Sequence, residues 1–258
     1  MCLGGALLRV TGACFEVGMM RLMIFILTFL SAPCVLAGEP KVAGQTYLYA
    51  SQPGKPTLDN GVSGGNPFAA VFVDLLKQEY STFESFSNAL LRNTERLSEG
   101  FQVPELVLGA KEDWQFLPIP KEEKRVALVL MISDYTQSGA VSLPGVKSDF
   151  ARVTTALVNA NFKMLAVIDP DAADLNRILS VFAGQAKKAD VALVYVTGHG
   201  VETGHETYLL PGNYKVDYGV RELKYKAVNL KVIGASAQAK HANVVLFAGC
   251  RNNPFEAK

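Results

Sequence analysis

Three apolar runs, at residues 126–132, 191–196 and 243–247, the last opening on Asn243, constrain this chain more than any other feature. A strand that is apolar at every position must be covered on both faces, because a solvated face would alternate with polar residues. Helical patterns separate the runs. Residues 149–161 and 172–186 repeat apolar side chains at helical spacing, with Leu175, Ile178, Leu179 and Phe182 on one face. A further helix is expected over 227–240 and a further strand over 163–168. Strands alternating with helices specify an α/β fold, a mostly parallel sheet with helices on both sides.

The part before residue 125 has a different texture. A short strand is expected over 46–50, followed by a loop broken at Pro53-Gly54, Asn60-Gly61 and Gly64-Gly65. Asn66 followed by Pro67 reads as a helix start. A second helix is expected from Ser81, with Ser81 and Glu84 as a capping box. Residues 114–117 suit one more strand, and the proline-bracketed stretch 119–124 suits a linker.

At the N-terminus, Arg21 precedes an apolar run over 22–30, and Val35-Leu36-Ala37 offers small residues for cleavage. The run is shorter than the about 20 residues that span a bilayer. Residues 1–37 are therefore expected to be a signal peptide with an over-long start, Met19 or Met20 being the better beginning. Export to the periplasm or outside the cell follows. The alternative is an uncleaved anchor, the only route to a membrane that the sequence offers. Cleavage after Ala37 would remove Cys2, Cys14 and Cys34 and leave Cys250 as the single thiol. Such a thiol is either a small buried hydrophobe or a nucleophile.

Its surroundings argue for chemistry. The run 191–196 leads into Thr197-Gly198-His199-Gly200, and 243–247 leads into Ala248-Gly249-Cys250. If helical crossovers join these strands, both tips lie at the same edge of the sheet, where open α/β sheets place their sites. Parallel neighbours lie about 4.8 Å apart, so an imidazole and a thiol meet across one spacing. A thiol beside an imidazole can attack a peptide carbonyl, and the imidazolium can protonate the leaving amine. The amides of Gly200 and Cys250 are candidates for holding the oxyanion. Alone, His199 would read as a histidine in a glycine turn. His205, in a polar loop, lacks a third metal ligand, and His241 precedes a strand. With 25 basic and 24 acidic residues the formal charge is +1, which gives no field for nucleic acid. No phosphate-binding loop, dinucleotide fingerprint or serine elbow is present.

These residues resemble the caspase-like cysteine peptidases, specifically the bacterial metacaspase-like branch. The resemblance runs through 126–132, Leu143-Pro144-Gly145-Val146 with Asp149, 190–200, Tyr208-Leu209-Leu210-Pro211 and Cys250-Arg251-Asn252-Asn253-Pro254-Phe255. It implies a three-layer α/β/α sandwich with a six-stranded sheet, a His199/Cys250 dyad, the Gly200 and Cys250 oxyanion donors, and a peptide or protein substrate. No cofactor is implied, and calcium dependence is left open. The chain ends eight residues after Cys250, whereas the family's small-subunit part usually follows the nucleophile. Residues 45–118, with Tyr49-Ala50-Ser51-Gln52-Pro53-Gly54, Asp59 and Asn66-Pro67-Phe68, are similar to that part. The expected order is therefore circularly permuted: 45–118 small-subunit-like, 119–124 linker, 125–258 large-subunit-like. A swapped dimer and a fragment of a tandem array are the alternatives to one closed monomer. Where the family usually has aspartate, Ala248 stands here. Asp134 is the candidate to supply that carboxylate and a preference for basic residues; otherwise it caps a turn. An inactive scaffold that binds a protein partner is the second functional reading, and transpeptidation through the same intermediate a third.

Overall fold

The apolar runs form the centre of a six-stranded sheet. A computed structural model describes residues 44–61, 64–80, 82–109, 114–253 and 255. The expected leader over 1–37, with Cys2, Cys14 and Cys34, lies outside them, as do Ser81 and Pro254. In chain order the first elements are β1 (Gln45–Tyr49), α1 (Pro67–Leu75), α2 (Phe83–Leu97) and β2 (Glu105–Val107). Then come β3 (Arg125–Met131), α3 (Gly145–Asn159), β4 (Phe162–Ile168), α4 (Ala172–Ala186) and β5 (Val191–Thr197). The last are β6 (Gly200–Thr203), β7 (Glu206–Leu209), α5 (Leu223–Lys226), β8 (Val228–Asn229), α6 (Leu230–Gly234) and β9 (Ala242–Phe247).

The main sheet runs β2-β1-β9-β5-β3-β4, parallel throughout except for β2 against β1. Thus the first strand of the chain pairs with the last. A small antiparallel sheet, β6-β7-β8, stands after the β5 tip. Every residue of β3, β5 and β9 is buried, and alternate side chains feed two cores. Ala127, Val129, Leu193, Tyr195, Val244 and Leu246 face α1, α2 and α3. Leu128, Leu130, Val194, Val196 and Val245 face α4 and α6. This is the expected three-layer α/β/α arrangement. Burial of one large side chain such as Phe68, Phe72 or Phe86 contributes about 1.5–3 kcal/mol.

Several elements depart from expectation for identifiable reasons. The sixth strand is β2, not residues 114–117. There the carbonyls of Gln115 and Phe116 accept hydrogen bonds from the Arg125 guanidinium (2.8 and 2.6 Å), while the Trp114 and Phe116 rings pack 4.6 Å apart. A side chain has taken the groups a neighbouring strand would use. The expected helix over 227–240 is replaced by β8, which pairs with β7, and by the short α6 capped by the Asn229 side chain on Lys231 N–H (2.8 Å). The capping box of α2 is formed by Thr82 and Ser85: Ser85 N–H donates to Thr82 Oγ1 (3.0 Å) and Thr82 N–H to Ser85 Oγ (3.3 Å). Asn66 caps α1 as its sequence predicts, accepting from Phe68 N–H at 2.8 Å.

Candidate active site

Strands β5 and β9 are adjacent and parallel, with Val196 opposite Phe247. The ladder extends one step further, through Ala248 N–H to the Val196 carbonyl at 2.8 Å. The two tips therefore leave the sheet side by side. Glycine is required where they cross. A Cβ on Gly200 would overlap the Cys250 carbonyl, and one on Gly249 would overlap the Gly198 carbonyl. His199 and Cys250 both line one cavity of about 150 Å³. The expected juxtaposition at one rim of the sheet is present.

His199 is held at three points. Its N–H donates to Tyr135 Oη (2.8 Å), its carbonyl accepts from Leu210 N–H (2.9 Å), and its Nε2 lies 2.7 Å from the Val141 carbonyl. The Tyr135 ring stands 4.4 Å from the imidazole at 60°. A carbonyl oxygen can only accept, so Nε2 carries the proton and Nδ1 is the basic nitrogen of the neutral ring. Tyr135 is fully buried, and burial pushes its phenol far above its ordinary pKa, so the hydroxyl stays protonated and donates onward to the Leu210 carbonyl (2.9 Å).

Cys250 is half-buried. Its sulfur accepts from Thr57 N–H at 3.3 Å and lies 3.4 Å from Thr57 Oγ1. Among the described residues its own amide has no acceptor. The Gly200 amide also points away from its ladder. Gly200 faces Leu209 across β6 and β7, and the bond from Leu210 N–H to the His199 carbonyl makes 200–209 a pair whose own groups turn outward.

Two carboxylates lie in the cavity, Asp59 and Asp149. Sequence marks both only as motif positions. Asp149 is buried, accepting from Asn66 N–H (2.9 Å) and paired with Arg152; burial nevertheless pushes its carboxyl upward in pKa. Asp59 accepts from Gly145 N–H at 3.1 Å. Asn66 also donates to the Ala248 carbonyl (3.0 Å), and Gln102 bridges Asn66 Oδ1 (3.3 Å) and Leu58 N–H (3.0 Å). No sequence signal points to Gln102.

Asp134 lies elsewhere. It is exposed, accepts from Thr136 N–H at 2.9 Å in a turn, and lines a separate hollow with Asp169 and Asp171. That turn bond holds its carboxyl below the usual pKa. It thus takes the turn-capping role that was the alternative, and Asp59 and Asp149 lie in the cavity that His199 and Cys250 line. His205 sits in the β6–β7 turn at φ 62°, and His241 is exposed before β9. Among the described residues no group of three or more His, Cys, Asp or Glu is placed to hold a metal.

Arg251, directly after Cys250, is buried. Its guanidinium pairs with Glu202 and Glu105, donates to the Ser51 carbonyl (3.2 Å) and lies 4.0 Å over the Tyr49 ring.

A family model described as the caspase domain matches residues 124–258. No curated protein matches the chain. The matched segment contains His199, Gly200 and Cys250, and leaves β1, α1, α2, β2 and the residues Thr57, Asp59 and Asn66 outside it.

Proposed function

We propose a mechanism from one premise: the chain belongs to the caspase domain family of cysteine peptidases. His199 and Cys250 act as the dyad of an endopeptidase. Nδ1 of His199 takes the thiol proton while Val141 keeps Nε2–H in place, and the thiolate attacks the scissile carbonyl. The Gly200 and Cys250 amides, both turned away from other acceptors, stabilise the oxyanion. The imidazolium protonates the leaving amine, and water then hydrolyses the thioester with His199 again as base. The observation that carries this reading is the shared cavity of His199 and Cys250 at adjacent parallel strand tips.

A preference for basic residues fits the cavity through Asp59, since Asp149 already has Arg152 as partner. The metacaspase-like branch is part of the same reading. So is the permuted order of the halves, which the parallel pairing of β1 with β9 supports. An exported protein, processed after Ala37, completes it.

Hydrolysis of a peptide library by the full chain tests the proposal. Cys250→Ala is expected to abolish turnover with the thermal melt unchanged, and cleavage by the wild type to concentrate after Arg and Lys. Turnover undiminished in Cys250→Ala rejects the dyad; cleavage after other residues rejects the role of Asp59.

A further inference from the structure

Thr57 lies outside the segment the caspase domain model matches, yet it touches the reacting atom. We propose that Thr57 is a positioning residue for the nucleophile, its N–H and Oγ1–H stabilising the thiolate of Cys250; this rests on the dyad reading. The sulfur has Thr57 N–H at 3.3 Å, Thr57 Oγ1 at 3.4 Å and the Thr57 carbonyl at 4.0 Å. Once the thiol proton has passed to His199, both Thr57 donors face the charge, while the Thr57 carbonyl stays farther off at 4.0 Å. Hydrogen bonds to an ion are stronger than those to its neutral form, so these donors favour the thiolate.

The donors are fixed before any substrate arrives. Residues 54–58 are pinned on both sides of Thr57. Gly54 N–H donates to the Arg251 carbonyl (3.1 Å), and Arg251 N–H donates to the Lys55 carbonyl (2.9 Å). That carbonyl also accepts from Ser51 Oγ (3.1 Å), and Leu58 N–H donates to buried Gln102 (3.0 Å). Donors held in this way need no reorganisation when charge develops. Because Thr57 precedes β3 by a long stretch of chain, the N-terminal segment supplies part of the nucleophile's environment. The thiolate should then depend on that segment staying docked.

The test is the pH dependence of Cys250 alkylation by iodoacetamide in the full chain, read by mass spectrometry of the peptide that carries Cys250. Thr57→Val removes the hydroxyl and keeps the shape; the midpoint is expected to rise by about one pH unit, roughly tenfold slower alkylation below it. Thr57→Ser should restore the wild-type midpoint. A midpoint unmoved in Thr57→Val overturns the proposal, as does a shift that Thr57→Ser fails to reverse. Thr57→Ala, judged by the same criteria, replaces Thr57→Val if the latter does not fold. The readout needs no peptide hydrolysis, so it separates failure of this inference from failure of the peptidase reading.

Discussion

At the scale of single residues, the histidine depends on a tyrosine that sequence gave no reason to single out. Tyr135 Oη accepts the His199 amide and donates to the Leu210 carbonyl, inside a fully buried site. Removing the hydroxyl leaves both groups without a partner, at a cost of about 1–3 kcal/mol. It also frees the His199 backbone, while Val141 still holds the ring. Tyr135→Phe is therefore expected to lower the melting temperature and to reduce kcat on the order of tenfold to hundredfold, with KM little changed. Steady-state kinetics on the folded variant check this; a normal kcat would show that the tyrosine only fills space. Sequence singled out His199 and Cys250 because each stands beside glycines at the end of an apolar run. Tyr135, Thr57 and Gln102 escaped because their contacts come from partners distant in sequence, with no local spacing to betray them, and Asp59 stood out only as a motif position.

At the scale of elements, Asp190 joins the starts of three strands. Its carboxylate accepts Lys124 N–H (2.9 Å) ahead of β3 and faces Lys240 (3.4 Å), and its carbonyl accepts from His241 and Ala242 N–H at β9. The Lys124 amide, chiefly, holds this carboxyl below its ordinary 3.8. A depressed folded-state pKa means that the unfolded chain binds more protons in acid. The stabilisation is complete above about pH 4 and is lost as pH falls through the folded value. In urea titrations the stability gap between wild type and Asp190→Asn should be widest near neutrality and narrow as acid takes the carboxyl through its depressed folded value. A gap that stays constant across that range would sink the idea. The same scale shows which elements sequence can reveal. β3, β5 and β9 were legible because two-sided burial forces continuous apolar runs, and α4 because its periodicity ends where its helix ends. Residues 114–117 and 227–240 misled for a common reason. Their local patterns were sound, but Arg125 in one case and pairing with β7 in the other redirected the backbone.

At the scale of the molecule, the question is what binds the segment before the linker to the segment after it. β1 pairs with β9 over five positions, and its other edge carries β2. Arg251 gathers Glu105 and the Ser51 carbonyl from the first segment and Glu202 from the second around one buried guanidinium. Phe68, Phe72, Phe83, Phe86 and Leu90 enter the core that β3, β5 and β9 line, each at about 1.5–3 kcal/mol. Against this stands the entropy of keeping two pieces together, about 4–15 kcal/mol. Covalent continuity through residues 119–124 should then matter less than the interface. That stretch is largely exposed, with Lys121 and Glu122 open to solvent. A protease site inserted between Lys121 and Glu122 is expected to be cut while the two pieces still elute together, at the mass of one chain and with the Cys250 alkylation profile retained. Separate elution under native conditions would contradict one closed sheet built from both segments. Co-elution at twice that mass, seen also before cutting, would contradict a monomer, and mixed pairs formed from cut and uncut chains after unfolding and refolding would identify segments exchanged between two copies. The profile adds a second readout, because departure of the first segment removes Thr57 from the sulfur and should move the alkylation profile in the direction expected of Thr57→Val.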